Sequence, residues 1–347
     1  MVQLTTVTSL LAIFSHAEAV RYLGRVNPAT KELTWPGTGV AFAFTGTSAT
    51  IRLGTVSGAS SYNLYINGGA PTVISDVSSK SISTPKLSRG NHTVVLRKRS
   101  ETNFGTVTIS NITTDGTINA DVIPSRKIEY IGDSITVGYG LDGILPCTDT
   151  ALVQNNPKTY AALTADTFGA DYDMVAWSGK GVTRNYGTGQ PDPSPIMPQL
   201  YTRWGANDAD NSYTFPESAT PDVVVINLGT NDFSYLNVRP ALNAAEFTAA
   251  FVKFVREGVL AHYPDAEYFL VTSPMLNDDY PSREDAQKTT QTNALKEVIR
   301  QMNSTAFHLV EWPSQGGDVG CDYHPNAATH AAGARILTEA IRGVMQW

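Results

Sequence analysis

The sequence predicts two folded parts: an all-β sandwich or jelly-roll domain, then an α/β domain in which helices flank a parallel sheet. Three observations carry this. The 347 residues exceed a typical single small domain. Up to about residue 125 the apolar runs are short and strand-like, with turn signals between them. Beyond Pro124, strand-like runs alternate with helix-like ones.

In the first part, runs at 40–44, 49–53, 62–66, 93–97 and 106–109 read as strands. Those at 49–53 and 62–66 alternate as a half-buried strand does. Asn67-Gly68-Gly69 and Arg89-Gly90-Asn91 supply turn residues between them. No helical period is present, and the spacing fits a sandwich or jelly roll whose strand order stays open. In the second part, strands are expected over 127–131, 172–175, 222–228, 268–272 and 308–310. Helices are expected over 159–168, 244–261, 283–302 and 327–345, and 186–221 reads as a long surface loop rich in Gly, Pro, Asn and Asp. The implied boundaries are a leader at 1–19, a β domain at 20–125 and an α/β domain at 126–347.

With 41% hydrophobic residues, either part can bury a core, whereas charged residues make up only 16%. Polar surface then comes largely from Ser, Thr, Asn and Gly, as is common in secreted proteins. A net charge of -7 without a long basic run argues against nucleic acid or anionic membranes as partners. Leu10-Leu11-Ala12-Ile13-Phe14 forms a short apolar core, and Ala17-Glu18-Ala19 fits a cleavage site before Val20. No Lys or Arg precedes that core, so a disordered or buried N-terminal segment is the alternative. No stretch is long enough to span a membrane. Asn91-His92-Thr93, Asn111-Ile112-Thr113 and Asn303-Ser304-Thr305 are acceptor tripeptides for N-glycosylation at Asn91, Asn111 and Asn303. Together these point to a secreted, extracellular protein; a monomer is expected, although none of these features sets the oligomeric state.

Cys147 and Cys321 are the two cysteines. In an oxidising compartment a single pair is expected to form a disulfide, the alternative being two unrelated buried thiols. The bridge would join a loop 13 residues after Ser134 to one three residues before His324. Neither cysteine has a second Cys or His at ligand spacing, so no metal is expected, and no cofactor.

The chemistry lies in four segments. Gly132-Asp133-Ser134 follows the 127–131 strand, and Gly229-Thr230-Asn231-Asp232 follows Leu228. Ligands of parallel sheets bind outside the carboxyl ends of the strands, so both segments fall on one edge. Trp177-Ser178-Gly179-Lys180-Gly181 and Cys321-Asp322-Tyr323-His324-Pro325 complete the set. A serine is a weak nucleophile without a base and oxyanion donors. Ser134 would be the nucleophile and His324 the base. The backbone N–H groups of Ser134 and Gly179 and the side-chain amide of Asn231 would hold the oxyanion. Glycine suits a donor whose backbone must approach substrate closely, and Gly181 rivals Gly179 on the same ground. Asp133 and Asp232 read as cap or turn residues. His16 falls in the leader, while His92, His262 and His308 lack a partner pattern. His330, six residues after His324 in the last helix, reads as a packing or surface histidine. Asp322 stands two residues before His324. In an extended loop such residues share a side, so its carboxylate could complete a triad. The alternative is a Ser–His dyad oriented by a backbone carbonyl.

In order and content the four segments resemble the SGNH (GDSL) hydrolase superfamily, over about 127–347. Most of that superfamily has its acid three residues before the histidine, where this chain has Cys321. The Asp-aromatic-His-Pro spacing, the Ser-Gly-Lys-Gly-Val-Thr-Arg-Asn run at 178–185 and the preceding β domain together resemble carbohydrate esterase family 2. That resemblance implies a jelly roll joined to an SGNH domain, and removal of acetyl groups from polysaccharides such as xylan and glucomannan. It also implies that some relatives work as a dyad, and that aromatic residues stack on sugar rings. The matching positions are Tyr186 and Tyr323, each of which could instead pack. Two rival readings are a general GDSL esterase or lipase, and a non-catalytic carbohydrate-binding protein. The short junction Ile123-Pro124-Ser125 favours a β domain that supports its neighbour over one on a flexible tether.

Overall fold

The computed structural model describes residues 19–75, 77, 79–234 and 239–347. The expected leader at 1–19, with His16, lies outside the described residues except for its last position.

Among the described residues, antiparallel strands build two facing sheets in the N-terminal part. One runs in the order Arg21–Leu23, Gly39–Gly46, Gly90–Lys98, Tyr62–Ile66, Thr72–Ile74, with Thr117–Asn119 also on Gly39–Gly46. The other runs Glu32–Leu33, Gly105–Thr114, Ala49–Gly58, Ser81–Ser83. Alternation decides which side chains meet between them: Val40, Phe42, Phe44, Val94 and Leu96 of the first sheet project inward to Ile51, Val107 and Ile109 of the second. The strands beyond the sequence expectation are two or three residues long and lie at sheet margins, too short to show a period of two.

Among its described residues, the second part holds five parallel strands in the order Asp171–Ala176, Lys127–Gly132, Val223–Asn227, Glu267–Val271, Phe307–Val310. Order therefore reverses between the first strand and its neighbours, leaving a crevice at the carboxyl ends of Lys127–Gly132 and Val223–Asn227. Helices Tyr160–Phe168 and Ala327–Met345 cover one face, and Ala244–Lys253 and Gln287–Met302 the other. The helix expected over 244–261 continues past Lys253 as a π-helical run, Phe254–Leu260. The one expected from 283 begins at Gln287, because Ala286 sits at a left-handed φ of 39°. The last helix starts where expected: Asn326 Oδ1 accepts the N–H groups of Ala328 and Thr329 at 3.0 and 3.2 Å. No helix of the described residues is long and apolar enough to cross a membrane.

The two parts are joined by buried contacts. Trp35 is inaccessible within the α/β core and donates from Nε1 to Trp204 O at 2.9 Å. Arg25 pairs with Glu129 at 2.8 Å, both side chains almost fully buried, and its guanidinium lies 3.7 Å from the Tyr213 ring centroid. Burial raises the Glu129 pKa and Arg25 opposes it, so removing one partner would leave an uncompensated charge beneath the sheet.

Candidate active site

The strand Lys127–Gly132 ends at a glycine because nothing larger fits. A Cβ on Gly132 would come 2.0 Å from Thr136 Oγ1. The chain turns there into the short helical segment Ser134–Val137, capped by Asp133, whose Oδ1 accepts the Ile135 N–H at 3.0 Å. Burial pushes the Asp133 carboxyl up to about 7, with the Ile135 N–H opposing. Asp133 is thus the cap that the sequence implied. Ser134 opens onto the crevice and meets a side chain 190 residues away: His324 Nε2 lies 2.9 Å from Ser134 Oγ.

The other imidazole nitrogen corrects one expectation. His324 Nδ1 lies 3.1 Å from the backbone carbonyl of Asp322, not from its carboxylate. The carboxylate is turned away: Oδ2 accepts the Tyr139 hydroxyl at 2.9 Å and the Asp149 N–H at 3.4 Å. The cause is backbone path. Asp322 and Tyr323 sit at φ 51° and 61°, two successive left-handed residues, so this segment curls where an extended loop was assumed. A carbonyl can only accept. Nδ1 of the neutral ring therefore carries the hydrogen, and the Nε2 lone pair faces Ser134. Loss of hydration pushes the His324 pKa down to about 4, with the Asp322 carbonyl opposing, so the ring is neutral at pH 7. A neutral imidazole at this distance can take the serine proton.

Tyr139 is a residue that sequence reasoning missed. Its ring lies 4.1 Å from that of His324 at 33°, while its hydroxyl holds Asp322. No motif marks it among 15 tyrosines. The disulfide between Cys147 and Cys321 is present, tying the loop after Ser134 to the loop that carries His324. Gly143 fits against it; a Cβ there would lie 2.1 Å from Cys321 Sγ.

Across the crevice, Gly179 adopts φ 80° and its carbonyl accepts the Tyr186 N–H at 2.7 Å. Among the described residues, the N–H groups of Ser134 and Gly179 donate to no protein acceptor. Gly181, the rival donor, is packed against Arg184 O and the Asp232 carboxylate and directs its N–H to Asn185 Oδ1 at 3.4 Å. Asp232 is structural: its carboxylate accepts the N–H groups of Val182 and Thr183 at 3.0 and 2.6 Å, and the Thr183 hydroxyl at 2.7 Å. Asn231 Nδ2 donates to Lys180 O at 2.9 Å and to Asp133 Oδ2 at 3.3 Å. The Asn231 backbone carbonyl is clamped by Arg239, which also donates to Asn185 O and Ser234 O.

A cleft of about 520 Å³ unites Ser134, Gly179, Asn231 and His324 with Tyr139 and Tyr186. Tyr323 is not among its lining residues; it is 67% exposed, because its left-handed backbone turns the ring outward. His330 is fully buried and accepts the Tyr160 N–H at 3.1 Å, a packing role. Among the described residues, no group of three or more His, Cys, Asp or Glu is placed to hold a metal ion. Asn91, Asn111 and Asn303 are all exposed.

Two family models match the chain: "Carbohydrate esterase 2 N-terminal" over residues 22–120 and "GDSL-like Lipase/Acylhydrolase family" over 130–332. A "Cellulase/esterase CelE" of Acetivibrio thermocellus is 33% identical over 348 residues, covering 94% of this chain; the chain spans 40% of that protein's length. An "Acetylxylan esterase / glucomannan deacetylase" of Cellvibrio japonicus is 33% identical, over 89% of this chain and 85% of that one. A crystal structure of a carbohydrate esterase family 2 enzyme from Corynascus thermopiles (Myceliophthora fergusii) superposes with a TM-score of 0.92 at 61% identity, covering 94% of this chain and all of that one. With its β sandwich and its GDSL-type α/β domain each matched, the chain belongs to carbohydrate esterase family 2.

Proposed function

We propose that this chain is a secreted serine esterase that removes O-acetyl groups from plant cell-wall polysaccharides, with Ser134 and His324 acting as a dyad. The supporting observation is the 2.9 Å approach of His324 Nε2 to Ser134 Oγ, with Nδ1 held by a carbonyl. Ser134 Oγ attacks the acetyl carbonyl as Nε2 takes its proton. The oxyanion is met by the N–H groups of Ser134 and Gly179 and by the Asn231 amide. Of that amide's two contacts, the longer one to Asp133 is the one an oxyanion displaces. Each such donor stabilises the transition state by about 3 kcal/mol. The imidazolium then gives its proton to the departing sugar oxygen. Water, deprotonated by the same nitrogen, cleaves the acetyl-serine to acetate.

Acetylated xylan or glucomannan is the substrate class that the Cellvibrio relative's name supports. Tyr186, 37% exposed in the cleft, would stack on a sugar ring. We place a leader at 1–19, the β domain at 20–125 and the hydrolase domain at 126–347. The disulfide and the exposed acceptors Asn91, Asn111 and Asn303 support export. Matched acetyl and octanoyl aryl esters, with acetate release from acetylated xylan and glucomannan, test the reading. The acetyl ester is expected to dominate. Comparable octanoyl hydrolysis would favour a general lipase, and acetate release equal to that of a Ser134→Ala control would favour a binding protein.

A pH dependence follows from the same reading. The base must be neutral, and its pKa is pushed down to about 4. The acid limb of kcat/KM is therefore expected near pH 4, below the 6.5 of an unperturbed histidine. Stability behaves differently. The unfolded chain protonates His324 and His330 below about 6.5, while the folded chain resists, its His330 lying at about 3. Folding stability therefore starts to fall below about 6.5, before the acid limb. Initial rates in short assays across pH 3.5–8 check this; a limb at 6.5 would contradict the half-buried, carbonyl-bound imidazole.

A further inference from the structure

Gly179 presents a special difficulty. It has no side chain to anchor it, yet its N–H must point steadily into the cleft. Its carbonyl is held on the downstream side by the Tyr186 N–H at 2.7 Å. The upstream hold comes from the other domain. Glu101 lies in the turn between strands Gly90–Lys98 and Gly105–Thr114, and is 2% exposed. Its Oε2 accepts the N–H of Ser178, the residue before Gly179, at 2.9 Å.

The same carboxylate reaches the histidine side of the cleft. Glu101 Oε1 accepts Gln154 Nε2 at 3.0 Å, and Gln154 Oε1 accepts the Glu101 N–H at 2.7 Å. Gln154 is fully buried, and its Nε2 also lies 2.6 Å from Asp149 Oδ2. Asp149 Oδ1 accepts the Gly140 N–H at 2.8 Å, beside Tyr139, and its own N–H reaches Asp322 Oδ2 at 3.4 Å. The turn is braced from below. Lys98 Nζ, fully buried, donates to the carbonyls of Ser100 and Glu101 at 2.6 and 2.9 Å.

We propose that Glu101 is a positioning residue of the hydrolase site, by which the β domain fixes the Ser178–Gly179 peptide and, through Gln154 and Asp149, the loop bearing Tyr139. This rests on the esterase reading above. The β domain is then part of the active-site framework, although none of its described residues lines the cleft. Each contact matters because a buried carboxylate must have its acceptors filled, and a displaced oxyanion donor loses its value within about an ångström.

The test uses the full chain with an aryl acetate, active-site titration with an organophosphonate, and thermal melting. Per titrated site, Glu101→Ala is expected to lower kcat about ten- to hundredfold with KM nearly unchanged. Glu101→Gln keeps one oxygen for the Ser178 N–H but offers Gln154 a donor, so it should recover part of that loss. A purely structural role would lower the melting temperature and the titrated fraction while leaving kcat per site intact. Should the alanine variant fail to fold, the near-isosteric glutamine variant decides: a several-fold loss of kcat supports the proposal, and a wild-type value overturns it. A rise in KM alone also overturns it. Wild-type protein active on the acetate separates these results from failure of the esterase reading, in which case both would fall together.

Discussion

His324→Ala lowers kcat for acetyl-ester hydrolysis by roughly 10⁴–10⁶-fold, whereas Asp322→Asn costs less than about tenfold. The first follows because Nε2 is the one base within hydrogen-bond reach of Ser134 Oγ among the described residues. The second follows from which atom of Asp322 orients the ring. The carbonyl at 3.1 Å from Nδ1 survives any side-chain change, and the carboxylate points to Tyr139 and Asp149. Asparagine is the informative substitute. It tolerates the left-handed backbone at φ 51°, and its amide oxygen can still accept the Tyr139 hydroxyl. In a triad, the same change leaves the histidine in the wrong tautomer and costs about 10⁴ in kcat. Steady-state kinetics of the two variants therefore separate dyad from triad by about three orders of magnitude. An Asp322→Asn loss near that of His324→Ala would restore the carboxylate to the mechanism.

That contrast also marks where the sequence was legible. Ser134 and Asn231 could be placed at one sheet edge because each follows an apolar strand, and parallel strands present their carboxyl ends together. Gly132 and Gly179 carried a signal because their positions demand glycine, one for space and one for backbone angle. Asp322 carried none. Two successive left-handed residues, one of them a tyrosine, leave no composition mark, and i/i+2 reasoning holds only for extended chain. Tyr323, assigned to the cleft by resemblance, is the second of these left-handed residues and is exposed instead. Tyr139 and Glu101 were out of reach for another reason. Their roles arise from tertiary contact, and Glu101 is 77 residues from Ser178 in the chain. The histidine loop could be identified, but not its shape.

Replacing both cysteines, Cys147→Ala with Cys321→Ala, is expected to lower folding stability by up to about 5 kcal/mol for a bridge closing a 174-residue separation. That corresponds to a fall in melting temperature on the order of 10 °C. Alanine is preferred to serine because Cys321 is fully buried against Gly140 and Gly143, where a hydroxyl would lack a partner. The effect on turnover should be much smaller, and the backbone explains why. Backbone contacts hold the histidine loop without the bridge, among them the Gly320 N–H to His324 O at 2.7 Å, the Cys321 N–H to Gly140 O at 3.1 Å, and the pairing of Val319 with Pro325. In the folded state these keep the Asp322 carbonyl facing Nδ1, so kcat per active site should stay within about tenfold of wild type. The bridge then acts chiefly on the unfolded chain, by limiting its freedom. Denaturant melts together with active-site-normalised kinetics check both halves. Unchanged stability would remove the entropic role, and a collapse of kcat in folded double variant would show that the bridge itself sets the geometry of His324.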